Sequence, residues 1–128
     1  MRPARTILAV LLGYLVWFAV LLAGGLLFGG AAGRYPHTSQ VVFIGEIVSF
    51  VAGIAAGAVA AAVAVARPLL HAIVLGVAIL CVLTLSAAFS KRPPTPGIPA
   101  WYPYAAALLS AAGAFVGGAL AGRPKRAP

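Results

Sequence analysis

The sequence predicts an all-α polytopic membrane protein: a four-transmembrane-helix up-down bundle with both termini on the cytoplasmic side. Three observations lead there. Hydrophobic residues make up 63% of the 128 positions and charged residues only 8%, where a water-soluble domain carries roughly 25% charged residues. With a mean hydropathy of +1.09, the chain has too little polar surface to coat a globule in water. Nearly all the apolar residues fall into four runs, 6–30, 41–66, 69–89 and 101–122. Each is longer than the roughly 18 residues that mark a spanning helix, and at ~1.5 Å per residue each crosses a ~30 Å hydrocarbon core. Finally, the basic residues alternate unevenly between the connections. Arg2, Arg5, Arg67, Arg123, Lys125 and Arg126 fall on one side, against Arg34, Lys91 and Arg92 on the other. The richer side is the cytoplasmic one. A membrane barrel would instead show segments of about ten residues with alternating polarity, and no such alternation is present.

The first run has a basic start and small residues at 23–25 and 29–33, as a secretory leader does. Its apolar core is longer than the roughly 7–15 residues of a leader, so it is expected to stay as a span. An outer loop containing RYPHTSQ, with Tyr35 and His37, leads to the second run. Arg67-Pro68 then makes a turn of two residues, with Pro68 at the first helical position, where its missing N–H does no harm. The second outer loop reads SKRPPTPGIPA, and Pro93, Pro94, Pro96 and Pro99 favour an extended polyproline path. Trp101, Tyr102 and Tyr104 open the fourth run. Amphipathic rings gather at headgroup level, so WYPY reads as an interfacial anchor, with a ligand-binding aromatic cluster as the alternative. The basic tail GRPKRAP is suited to anionic lipid headgroups. The net charge of +8 is accounted for by topology, so no nucleic-acid partner is expected.

Small residues suggest how the helices meet. Lipid tails are as apolar as leucine, so spans associate by close backbone packing at Gly, Ala and Ser. Gly53/Gly57, Gly113/Gly117 and Gly118/Gly122 share a four-residue spacing, as do Gly25/Gly29 in the first run. The segments AGIAAGA at 52–58 and AGAFVGG at 112–118 echo one another sixty positions apart, as an internal duplication or as chance in an Ala/Gly-rich chain. These motifs serve equally for packing within the chain and for a homo-oligomer or another membrane partner.

Glu46 is the only acidic residue. At about 100° per residue it stands about 20° from Gly53 and from Gly57 on a helical wheel, which turns it toward protein. An intramembrane carboxylate on an inward face is a functional candidate; the plainer reading is a hydrogen-bonded or ion-paired structural residue. Equal depth along the bilayer normal suggests Ser86 and Tyr104 as hydrogen-bond donors to it. Lys91, Arg92 and Arg34 are suggested as cations that could snorkel toward it. His71 is expected some 23 Å away by helix rise, near Arg67 and the cytoplasmic headgroups. Cys81, alone, reads as a small apolar packing residue. General acid–base chemistry usually needs a second group, and there is no second carboxylate, metal-ligand spacing or phosphate loop. No enzyme activity and no cofactor are expected.

Three segments resemble a widespread group of small bacterial four-helix membrane proteins without an established activity: RPLLHAIVLG (67–76), PAWYPY (99–104) and GAFVGGALAGR (113–123). That resemblance implies a bacterial inner-membrane location and no reaction. Small multidrug-resistance transporters also use a lone membrane glutamate, but in their first helix, which here has none. Fluoride channels of the Fluc type are similar at GGAAGRY (29–35) and SFVAG (49–53). Gly45 stands where their asparagine would be, so no residue roles are carried over. The functional expectation is a structural, accessory or interaction role in the inner membrane. The alternative is a small oligomeric transporter or channel in which Glu46 couples to protons or cations.

Overall fold

In a computed structural model, residues 3–29, 38–64, 66–91, 93 and 96–123 are described. Four α-helices account for most of them: α1 (Pro3–Gly24), α2 (Thr38–Val63), α3 (Pro68–Phe89) and α4 (Tyr102–Ala121). A π-helical turn, Gly25–Gly29, continues α1. All four helices are long and apolar enough to cross a membrane, and the fold is all-α. A helix satisfies every backbone N–H and C=O within its own segment, which is what a hydrocarbon solvent demands.

The interior and exterior are composed as a lipid-bathed bundle would be. Ala9, Ala52, Ala56, Ala60, Ala72, Ala107 and Ala114 are completely buried, and among the described residues Leu75 and Ile79 are the only large apolar side chains that share this. Leu, Ile, Val and Phe side chains are turned outward instead, among them Leu11, Leu15, Phe18, Leu22, Phe43, Val77, Leu108 and Phe115. In water such an apolar coat would be far larger than soluble proteins tolerate. It is compatible with a membrane protein, whose helices gain from close backbone approach and lose nothing by presenting large apolar groups to acyl chains.

The seam between α2 and α4 is the most extensive contact in the structure, and glycines form it from both sides. Gly53 lies on the Ser110 carbonyl and Gly57 on the Ala114 carbonyl. Reciprocally, Gly113 lies on the Phe50 carbonyl and Gly117 on that of Ile54. A Cβ at any of the four would overlap opposing backbone. Contacts advance together along the two helices, so α2 and α4 run in the same sense. The same-chain use of these motifs is therefore the one observed.

The remaining glycines have different partners. Gly118 packs on Ala72 of α3 and Gly122, which ends α4, on the Pro68 ring. Contacts there run oppositely along α3 and α4. The expectation for the first run needs correction. Gly25 has open space around it, and the glycines of α1 that pack are Gly13, where a methyl would sit 3.0 Å from the Ala56 carbonyl oxygen, and Gly24, which lies on the Val48 side chain.

Local chemistry sets the ends of α2 and α3. Ala64 N–H still donates to the Ala60 carbonyl at 3.0 Å, after which the chain turns and Arg67 takes up a left-handed conformation (φ 52°, ψ 58°). The Arg67 carbonyl then accepts from the Leu70 and His71 N–H groups at 3.1 and 3.4 Å. Pro68 occupies the first turn of α3, as its position after Arg67 predicts. The helix boundaries at 6, 41 and 66 move to Pro3, Thr38 and Val63. Polar residues at 38–40 are helical despite lying before the apolar run.

Candidate functional site

Glu46 sits in the first third of α2, near the end of the bundle where α4 begins. The residue is partly buried. Both carboxylate oxygens are covered by protein, and neither has a hydrogen-bond partner among the described residues. Ser39, Phe43 and Glu46 line an open cavity of about 440 Å³ that is bordered on its other side by Gly97, Pro99 and Trp101. The three α2 residues are spaced three and four apart, which stacks them on one helix face. Trp101 is 57% exposed and precedes the first turn of α4, in which Pro103 is tolerated.

Behind Glu46, the neighbouring Gly45 receives the Tyr102 phenol. The hydroxyl lies so close that a Cβ at residue 45 would overlap it. Tyr102 is half-buried and close enough to Glu46 to interact with it electrostatically. A second cavity, about 230 Å³, opens beside it between α1 and α2 and is lined by Gly24, Phe28, Ile44, Ser49 and Tyr102 among others.

The residues suggested by depth alone are not brought to the carboxylate. Tyr104 is 40% exposed, and Ser86 is exposed in a groove with Phe89, Ser90 and Lys91. Neither they nor Lys91 hydrogen bonds to Glu46. Helix rise gives height but not azimuth. On a helical wheel Tyr102 stands about 20° from Gly113 and Tyr104 about 180° from it, so the wheel would have chosen Tyr102. Ser86 does share the Leu75–Ile79 face, about 20° from each. That face is buried only as far as Ile79, so by residue 86 it has left the bundle. Arg2, Arg34, Tyr35, His37, Arg92, Lys125 and Arg126 lie outside the described residues.

At the opposite end His71 is buried, with both ring nitrogens engaged. Nδ1 is 3.0 Å from the Arg67 carbonyl oxygen and Nε2 is 3.2 Å from the Thr6 hydroxyl. A carbonyl only accepts, so Nδ1 carries a proton; in the neutral ring Nε2 then accepts from Thr6. The ring contacts the Arg67 backbone carbonyl, and through Thr6 it ties α3 to the start of α1. Arg67 itself is exposed.

A buried polar chain went unnoticed in the sequence. The Trp17 indole N–H donates to Ser110 Oγ at 3.2 Å, and Ser110 Oγ donates to the Ser49 carbonyl at 3.2 Å. Ser49 Oγ donates in turn to the Gly45 carbonyl at 2.8 Å. Trp17 packs on Tyr14, with ring centroids 5.4 Å apart. Cys81, expected in packing, is exposed. Among the described residues no three His, Cys, Asp or Glu side chains are grouped to hold a metal ion. No protein-family model, curated protein or solved structure matches the chain.

Proposed function

We propose that the chain is a multi-pass protein of the bacterial inner membrane, an up-down bundle with both termini cytoplasmic, serving a structural, accessory or interaction role. What supports this is the interdigitated glycine seam between α2 and α4. It packs α2 against α4 with backbone on backbone at the centre of the bundle. The central buried hydroxyls, Ser49 and Ser110, are hydrogen-bonded. Because Gly53, Gly57, Gly113 and Gly117 are occupied within the chain, self-association or a partner must use an outer face, for which the exposed Leu and Phe side chains are available. Gentle extraction of tagged protein in native lipid, followed by identification of whatever is stoichiometric with it, tests the role. A chain that is isolated alone and monomeric opposes an accessory function. Reporter fusions after Tyr35, Arg67, Pro96 and Arg126 test the orientation, expected out, in, out and in.

A second reading is a small oligomeric transporter or channel in which Glu46 couples to protons or cations. The carboxylate, without a hydrogen-bond partner among the described residues, favours it. An ionised group buried without a partner is strongly unfavourable, so the site is chemically unfinished as it stands. Proton-driven or ion flux into liposomes that disappears in Glu46→Gln supports this reading, and absence of flux over a broad panel removes it.

A further inference from the structure

We propose that the cavity between the start of α2 and the turn before α4 is a binding site for an alkylammonium group, with Glu46 as its counter-charge and Trp101 and Phe43 as its apolar walls. The inference deepens the second reading by naming a ligand class, but it concerns binding and does not require transport.

Four observations meet at this place. The carboxylate lacks any hydrogen-bonding or ionic partner among the described residues. The cavity, about 440 Å³, lies in the size range of small-ligand pockets, roughly 300–1,000 Å³. Its Trp101 and Phe43 side chains are largely exposed, as Phe18 and Phe115 are elsewhere, but here the two stand beside a carboxylate. Its polar side chains, Glu46 and Ser39, offer a carboxylate and a hydroxyl, and among the described residues no cationic side chain lines it. An anion would be repelled, and a neutral solute would leave the carboxylate unmatched. An ammonium bearing alkyl or aryl groups satisfies all of these at once. Its charge pairs with Glu46 in a low-dielectric setting, its N⁺-bound methyl or methylene groups favour an indole face, and its apolar body fills the Phe43 side. Glu46 already lines the cavity, so a side-chain rotation brings its covered oxygens to the ligand.

The same chemistry has two sources at this depth. One is a free organic ammonium. The other is the ammonium of an ethanolamine lipid headgroup, since Trp101 stands where a span would meet the headgroup region.

The test uses the full chain. For the free source, detergent-purified protein is titrated with benzyltrimethylammonium and, as the neutral control, benzyl alcohol. For the lipid source, protein from nanodiscs of equal phosphatidylethanolamine and phosphatidylglycerol is released in native mass spectrometry and its retained lipid is counted. Expected are saturable binding of the cation but not the alcohol, preferential retention of phosphatidylethanolamine, or both. In either arm Glu46→Gln weakens binding by about tenfold or more, the loss of one desolvated ion pair. Trp101→Ala weakens it and Trp101→Phe retains it. Circular dichroism verifies that each variant is folded; should Glu46→Gln fail to fold, the Trp101 pair and the neutral control decide. Failure of both probes to bind wild type overturns the proposal, as does equal binding of cation and alcohol or undiminished binding in folded Glu46→Gln. So does binding that emerges only when Arg34 and Arg92 are both changed to Gln, because the chain would then supply its own cation. A cation that binds but is not carried across liposomes refutes transport while leaving the site intact.

Discussion

The indole nitrogen of Trp17 on α1 lies 3.2 Å from the hydroxyl of Ser110 on α4, across 93 positions of sequence. The Ser110 hydroxyl donates its own hydrogen bond to the Ser49 carbonyl of α2, so one buried serine joins three helices. Ser110→Ala leaves the Trp17 N–H buried and without an acceptor, which costs about 1–3 kcal/mol. Thermal unfolding in detergent is expected to show this loss. A double-mutant cycle with Trp17→Phe is expected to show coupling between the two sites; strictly additive losses would mean that they do not interact.

The glycine seam makes a paired prediction. Gly57→Ala and Gly117→Ala each place a methyl on opposing backbone, at Ala114 and Ile54 respectively, and backbone cannot step aside as a side chain can. Each is expected to destabilise by about 1–3 kcal/mol. Gly25→Ala, where a methyl meets nothing within 4 Å, is expected to be neutral or slightly stabilising. Equal effects at the three sites would contradict the seam.

Arg67 is the only non-glycine residue with positive φ among the described residues. For L-residues that conformation is unfavourable by about 1–2 kcal/mol. Arg67→Gly is therefore expected to raise stability by up to about 1 kcal/mol, and Arg67→Ala to leave it nearly unchanged, since alanine inherits the same strain. Denaturation of both variants in one detergent checks the ordering.

His71 offers a test at the same end. Thr6→Val removes the hydroxyl on Nε2 while keeping shape, and is expected to cost about 0.5–1.5 kcal/mol. His71→Phe removes both ring contacts and leaves Thr6 unpaired, so it is expected to cost more. Protease or hydrogen-exchange protection of the α1 start is expected to fall in both.

Glu46 separates a structural residue from a binding one. A carboxylate that holds helices together loses stability on conversion to Gln or Leu. One that is covered and without a hydrogen-bond partner among the described residues, as here, is expected to unfold no earlier as Glu46→Gln and later as Glu46→Leu, because removing an uncompensated buried charge relieves its desolvation. A clear fall in melting temperature for both variants would assign it a partner.

The spans were legible because length and hydropathy are properties of each segment alone. The glycine pairs at 53/57 and 113/117 were legible because a four-residue spacing fixes a helix face. Gly25/Gly29 has that spacing too, yet Gly25 meets open space, because spacing fixes a face but not what lies opposite it. Tyr102 could have been found by wheel geometry, whereas depth pointed to Tyr104. Ser86 could not, since its face is inward by phase and exposed only because α3 departs from the bundle. Trp17 with Ser110 left no local mark at all: a single indole and a single hydroxyl on separate helices carry no period.

By itself, then, the sequence determined the all-α class, the four apolar segments and the lone carboxylate, since hydrophobic length and residue identity are local and need no neighbours. Which helices meet, which glycines are spent within the chain, that Tyr102 stands beside Glu46 and that its oxygens have no hydrogen-bond partner among the described residues were decided only in three dimensions. Helix association in hydrocarbon rests on backbone-to-backbone fit, and fit belongs to pairs of surfaces that no single segment contains.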